Sequence, residues 1–195
     1  MSVTGKTQYY TATSIDGFIA DEHNSLDWLF QAHQEHDESQ WEAFIGAVGA
    51  MAMGATTYEW ALEHDKLLEN PGKWHDYYGD IPCWVFTHRE LRAVPNADIR
   101  FAQGDERAVH EEMTAVAGGK NIWIVGGGEL VGRFADEGLL DEIQLHVAPV
   151  MLGAGAPLLP RRITSQRLTL TSAENVGGFA FLTYAVSSNS SGAAG

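Results

Sequence analysis

Short apolar runs alternate with stretches of helical period along most of this chain. Residues 7–14 are rich in threonine and tyrosine and predict a first strand, with a turn and a short extended piece over 15–20. Residues 21–36 are polar and predict a loop around Leu26 and Phe30. Asp37 or Ser39 can cap a helix whose apolar face holds Trp41, Phe44, Ile45 and Val48. Residues 47–53 are small and apolar and predict a central strand, broken by Gly54, after which Thr56 begins another helix. Residues 63–80 are charged and aromatic around Pro71 and Gly72 and predict an irregular excursion at the rim. Strands follow over 82–87 and 98–102. A helix then spans 105–116 with Val109, Met113 and Val116 inward, ended by Gly118 and Gly119. Residues 141–150 alternate, with Ile143, Leu145 and Val147 on one face, and 165–174 and 178–186 predict a hairpin closed near Gly177 and Gly178.

Alternating strands and helices followed by antiparallel strands predict an α/β fold. The expected form is a three-layer α/β/α sandwich with a mostly parallel central sheet and an antiparallel C-terminal edge. One domain is expected over 1–186, and the small polar tail 187–195 is expected to be disordered.

The segment 121–135 carries the most chemistry. Ile122, Trp123, Ile124 and Val125 read as a buried strand, Gly126, Gly127 and Gly128 follow, and Leu130, Val131 and Phe134 then recur at helical spacing. Strand, glycines, helix is the order that brings a phosphate against main-chain N–H groups at a helix N-terminus. Glycine removes the side chains that would keep a bulky anion away. The same spacing also serves a plain tight turn. The triplet is not GxGxxG, and Glu142, near the distance of a ribose-binding acid, opens a strand instead of ending one.

A formal net charge of −14 argues against nucleic-acid binding, which needs a basic face, but leaves room for an anionic cofactor held locally. The lone Cys83 sits in an apolar run and reads as a structural thiol in a reducing, cytoplasmic setting. No run approaches the length of a membrane span, and the N-terminus lacks a signal-peptide pattern. His33 and His36 stand beside Asp37, but no HExxH or CxxC pattern occurs, so no metal site is expected.

Four segments, in order, resemble the dihydrofolate-reductase-like superfamily: 12–20 with 26–29, 53–59, 85–89, and 122–130 with 140–143 and 148–157. The forms around Asp16 and Gly17 and around Gly153 and Gly155 are closest to the branch that holds the reductase domain of the bifunctional riboflavin-biosynthesis enzyme and small stand-alone relatives. The resemblance implies NADPH held across the C-terminal ends of the central strands. Ala12 and Ile19 would flank the nicotinamide. Gly54, Ala55, Thr56 and Thr57 would meet the pyrophosphate, and Thr87, His88 and Arg89 the adenosine 2′-phosphate. Val125 and the turn Gly126, Gly127, Gly128, Glu129, Leu130 would form the second phosphate site. Ala55 departs from the pattern, since the family commonly has a basic residue there.

The implied activity is NADPH-dependent hydride transfer to a small pterin- or pyrimidine-like, or otherwise conjugated, substrate. The alternative is a nucleotide- or ligand-binding protein on the same scaffold without turnover. Three groups are candidates for orienting or protonating the acceptor, each with a structural alternative. Asp37 is the match to the orienting carboxylate, or a helix cap. Asp16 lies beside the expected nicotinamide, or is a turn residue. His146 points away from Leu145 and Val147, as a proton donor or as a structural histidine. Trp28, Trp41 and Tyr58 would line the substrate pocket. A homodimer, paired through the C-terminal strands or the 147–159 segment, is the expected assembly.

Overall fold

The computed structural model describes residues 5–32 and 38–188. In chain order the elements are β1 Thr7–Thr13, β2 Phe18–Ala20, α1 Asp27–Ala32, α2 Glu38–Gly46, β3 Val48–Gly54, α3 Ala55–His64, α4 Gly72–Tyr78 and β4 Cys83–Phe86. There follow β5 Ile99–Ala102, α5 Glu106–Ala117, β6 Asn121–Gly126, α6 Gly128–Asp136, β7 Glu142–Val147, β8 Ala156–Pro157, β9 Leu168–Val176 and β10 Phe179–Val186.

Eight strands form one sheet in the order β5-β4-β3-β6-β1-β7-β10-β9. The first six pair in parallel, β10 adds antiparallel to β7, and β9 adds antiparallel to β10. This is the α/β arrangement the sequence predicts, antiparallel edge included. Strand alternation sorts the two faces. Ala50, Ala52, Ile122 and Ile124 pack against Met113 and Ala117 of α5 and Leu130, Val131 and Phe134 of α6. Met51, Met53, Cys83, Val85 and Trp123 pack against Phe44 of α2, Tyr58 and Ala61 of α3 and Trp74 of α4. Among the described residues no helix is long and apolar enough to cross a membrane.

Three local expectations change. Residues 63–80 are not an irregular rim: they contain α4, and Leu67 and Trp74 are buried. Pro71, which reads as a turn signal, is the residue that precedes the helix, where its fixed φ and missing N–H cost nothing. Within 21–36, residues 27–32 form α1, which buries Trp28 against Ala148 and Phe179. Val116 is 45% exposed, because the inward stripe of α5 steps from Met113 to Ala117 and leaves Val116 outside it. In the expected tail, Ser187 is held by hydrogen bonds with Arg167, its N–H donating to the Arg167 carbonyl at 2.9 Å; residues 189–195 lie outside the described residues.

Glu142 has a structural post at the end of the sheet where β1 and β7 begin. Burial works to raise its carboxyl, but hydrogen bonds from Lys6, Gln144 and Gln8 outweigh it and hold the group below its ordinary range.

Candidate functional site

Strands β3 and β6 lie side by side with Met53 opposite Gly126, and each runs straight into a helix. The N-termini of α3 and α6 therefore open at the same level. Both are preceded by an extended glycine, Gly54 (φ −75°, ψ 159°) and Gly127 (φ −81°, ψ 177°), and neither has a side-chain cap. Helix α5 is the contrast: the Asp105 carboxylate accepts its Ala108 N–H at 3.0 Å. The first N–H groups of α3 and α6 have no intrahelical partner, and their dipoles favour an anion.

These two ends form the floor of a cleft of about 690 Å³. Its walls include Thr11 of β1, Ile19 and Ala20 of β2, Asn24 and Leu26 of the following loop, Trp60 of α3, Phe86 of β4, and Ala156 and Pro157 of β8. The glycines differ in what demands them. A Cβ on Gly54 would come no closer than 3.8 Å to any other residue, at the Gly126 carbonyl oxygen. A Cβ on Gly128 would stand 2.5 Å from the carbonyl oxygens of both Pro157 and Leu158. Packing of the 157–158 backbone on α6 thus requires Gly128, whereas nothing in the fold requires Gly54. Gly126 holds φ 148°, and the Gly126–Gly127 peptide is cis.

Of the expected cofactor residues, Ile19, Gly54, Ala55, Thr56, Thr57, Val125, Gly126, Gly127, Gly128, Glu129 and Leu130 all line this one cleft. Ala12 sits next to Thr11 on β1, opposite His146 in register. Thr87, His88 and Arg89 lie just past Phe86, outside the lining. Thr87 is buried, and its hydroxyl accepts the Arg89 N–H at 2.9 Å. The Arg89 guanidinium is paired with Glu59 on α3 at 2.7 Å. Glu129 is bound by Arg161, at 2.7 Å and 3.1 Å, which keeps its carboxyl low.

The residues expected on the substrate side are dispersed. Asp37 lies outside the described residues. Tyr58 is fully buried and outside the lining of this cleft: its hydroxyl donates to the Arg92 carbonyl at 2.9 Å and accepts the Val94 N–H at 3.1 Å. Burial pushes that phenol up to about 12. Trp28 is enclosed beneath α1. Trp41 and His146 belong to an aromatic cluster on the α2 face of the sheet. Tyr10 stacks on Phe44 at 4.0 Å, with Trp41 6.1 Å and His146 4.8 Å from its ring, and Phe181 lies 4.4 Å beyond His146.

Asp16 is a staple between two loops. Its carboxylate accepts the Ser14 hydroxyl at 2.6 Å, the Gly153 N–H at 2.7 Å and the Leu152 N–H at 3.1 Å. These bonds, the Ser14 hydroxyl foremost, hold its pKa at about 2, below the ordinary 3.8. A lowered carboxyl stabilises the fold above its unfolded pKa, and that contribution is lost as pH falls through the folded value. Asp16→Asn should therefore flatten the decline of the melting temperature between about pH 4 and pH 2. Acid limbs that superimpose for parent and variant would contradict this account.

Residues that the sequence analysis missed are the ones tertiary packing delivers: Thr11, Ala20, Asn24, Leu26, Trp60, Phe86, Arg133, Ala156, Pro157 and Pro160. Ala156 and Pro157 left a signal. Gly155 (φ 147°) is the position where a Cβ would stand 2.0 Å from the Ala20 carbonyl oxygen, so only glycine lets β8 pair with β2.

A family model, the RibD C-terminal domain, matches residues 77–180. The chain belongs to the RibD C-terminal domain family. It is 34% identical over 172 residues to the uncharacterized protein YwjB of Bacillus subtilis (strain 168), covering 88% of this chain and 92% of YwjB. In structure, this RibD C-terminal domain protein is similar to a protein from Shewanella sp. PV-4 with a riboflavin-biosynthesis designation. The TM-score is 0.76 at 24% identity, over 93% of this chain and 98% of that one. It is also similar to the dihydrofolate reductase of Enterococcus faecalis, a structure complexed with NADP(H), with a TM-score of 0.57 at 12% identity over 97% and 99% of the two chains. The fold of the family member is thus dihydrofolate-reductase-like, as the ordered segments imply.

Proposed function

We propose that this protein is an NADPH-dependent reductase that transfers hydride to a small pterin- or pyrimidine-like, or otherwise conjugated, substrate. The observation that carries the reading is the pair of uncapped, glycine-led helix N-termini, α3 and α6, opening side by side into one cleft. That floor suits a pyrophosphate, which needs unpaired N–H donors and no intervening side chains. The E. faecalis dihydrofolate reductase, on the same fold, is complexed with NADP(H).

In this reading Gly54, Ala55, Thr56 and Thr57 bind one phosphate and the turn from Gly126 to Leu130 the other. Arg89 and His88 serve the 2′-phosphate, with Glu59 giving way as the guanidinium turns to it. Ile19, Ala12 and Val125 frame the nicotinamide. When bound, the dihydronicotinamide supplies a hydride to the acceptor. Asp37 and His146 are the groups proposed to orient and protonate it, with Trp41 proposed to line the pocket; Asp16 positions the 150–153 loop against β2 through its three hydrogen bonds. We further propose one domain over 1–186, a reducing cytoplasmic setting that suits the buried Cys83, and a homodimer paired along the exposed β9 edge, where Leu170 is 51% exposed.

Calorimetric titration with NADPH and NADH, followed by NADPH oxidation across a panel of pterins and pyrimidines, tests the reading. Binding of NADPH in the micromolar range, about −8 kcal/mol, is the expected result. Absence of heat with both coenzymes rejects the assignment. Tight binding without oxidation of any acceptor favours a binding protein that has kept the scaffold, a reading Ala55 supports.

A further inference from the structure

The cleft has two chemically different ends. At the phosphate end lie the two helix N-termini and Arg133, its guanidinium 5.6 Å from the Phe86 ring and the only lysine or arginine among the described residues of the lining. At the other end, past Thr11, Ile19 and Ala20, lie Asn24, Leu26 and Trp60. Trp60 is the innermost rung of a ladder of three nearly parallel rings. His64 stacks on it at 4.5 Å and 14°, and Phe30 stacks on His64 at 5.6 Å and 13°.

Charge separates the ends as sharply. No lysine or arginine occurs anywhere from residue 7 to 65, while that stretch holds eleven aspartates and glutamates. None occurs over 134–160 or after 167. So β1, β2, α1, α2, β7, β8 and β10, the elements that build the second end and its surroundings, carry no permanent cation. Recognition of a phosphate or carboxylate wants a guanidinium, an ammonium or a fan of free N–H groups. Here the N–H groups are spent at the opposite end, and the field of the carboxylates repels a second anion.

Resting on the reductase reading above, we propose that the acceptor is a flat, uncharged or cationic ring that bears no phosphate or carboxylate and stacks on Trp60. The chain thereby selects free heterocycles over their phosphorylated or carboxylated derivatives. The reaction that supplies its substrate is then a dephosphorylation or a ring synthesis that leaves no anionic group.

Two probe pairs that differ by one anionic group test this: pterin with pterin-6-carboxylate, and riboflavin with riboflavin 5′-phosphate. Each is titrated calorimetrically into the NADPH-loaded protein at pH 7, where the pterin ring itself is uncharged. The uncharged pterin or the riboflavin is expected to bind at least about tenfold tighter than its anionic partner. Trp60→Ala should weaken that binding by about tenfold, and Trp60→Phe should restore most of it. Asn24→Lys, on the exposed loop, should strengthen the anionic partner about fivefold. Equal or tighter binding of the anionic member, or ring binding indifferent to Trp60→Ala in a protein whose circular dichroism is unchanged, overturns the inference. NADPH is titrated alone on the same preparation. If it fails to bind while the ring preference holds, the reductase reading fails and a binding site for the same ring class stands. If it binds and anionic rings are preferred, the substrate class alone is wrong.

Discussion

Trp74→Ala is expected to cost about 3–5 kcal/mol of stability, enough to leave a domain of ordinary stability largely unfolded at physiological temperature. Trp74 is 1% exposed, in a seven-residue helix that forms part of the outer layer over β3 and β4. Its ring meets Tyr78 at 4.6 Å and the edge of Tyr58 at 6.1 Å. Truncation leaves a cavity bounded by the Tyr78 ring and by Tyr58, which is fixed by its bonds to Arg92 and Val94. The site therefore has little freedom to collapse, and the cost lies at the high end of the range. Urea unfolding followed by circular dichroism measures it. A loss below about 1 kcal/mol would mean that α4 is a peripheral excursion, as its composition alone suggests.

Adding the same methyl group at two glycines of the cleft is expected to give opposite results. Gly128→Ala drives a Cβ to 2.5 Å from two carbonyl oxygens, so either α6 or the 157–158 backbone must move. Overpacking of this kind costs about 1–3 kcal/mol and lowers the melting temperature. Gly54→Ala meets nothing nearer than 3.8 Å, at an ordinary extended φ of −75°. Its melting temperature should stay within the shift set by about 1 kcal/mol of lost helix capping. Its NADPH affinity should fall by about tenfold or more, since the methyl stands where the phosphate approaches the first N–H groups of α3. Thermal unfolding and calorimetry on the two variants separate fold from ligand. NADPH affinity unchanged in Gly54→Ala would remove the pyrophosphate from this turn.

The fold was legible wherever a local rule and its burial coincided. Continuous apolar runs such as 50–53 and 122–125 read as buried strands, and because successive residues of a strand face opposite ways, a run apolar throughout is the mark of a strand covered on both faces. The hairpin declares itself through Gly177 and Gly178, which hold φ of 58° and 85°. Helix α4 was illegible because seven residues of mixed aromatic and charged character show too few turns for a period, and its reason to exist is the pocket between Tyr58 and Tyr78. Val116 misled because it is apolar at a plausible spacing, and only the direction of α5 against β3 and β6 decides between residues 116 and 117.

The glycine turns of the candidate site were visible for the same local reason: strand, glycine and helix are adjacent in the chain. Side chains arriving from elsewhere were not. Tyr58, one turn into α3, is as well placed in sequence to face a ligand as Trp60, yet Tyr58 points to the core and Trp60 to the cleft. Successive steps of about 100° around a helix separate these directions, but which direction is inward depends on where the sheet lies.

By itself the chain determined the order of its main strands and longer helices, its parallel centre with an antiparallel edge, the glycine turns, and a cation-free stretch from residue 7 to 65, because each is written in neighbouring residues. Only the tertiary structure decided that two helix ends share one cleft, that Asp16 is committed to Ser14, Leu152 and Gly153, and that Trp60 carries a stacked ladder at its rim. Those facts join positions as many as 137 residues apart, and such distances are set by sheet register and close packing, which no local window of sequence contains.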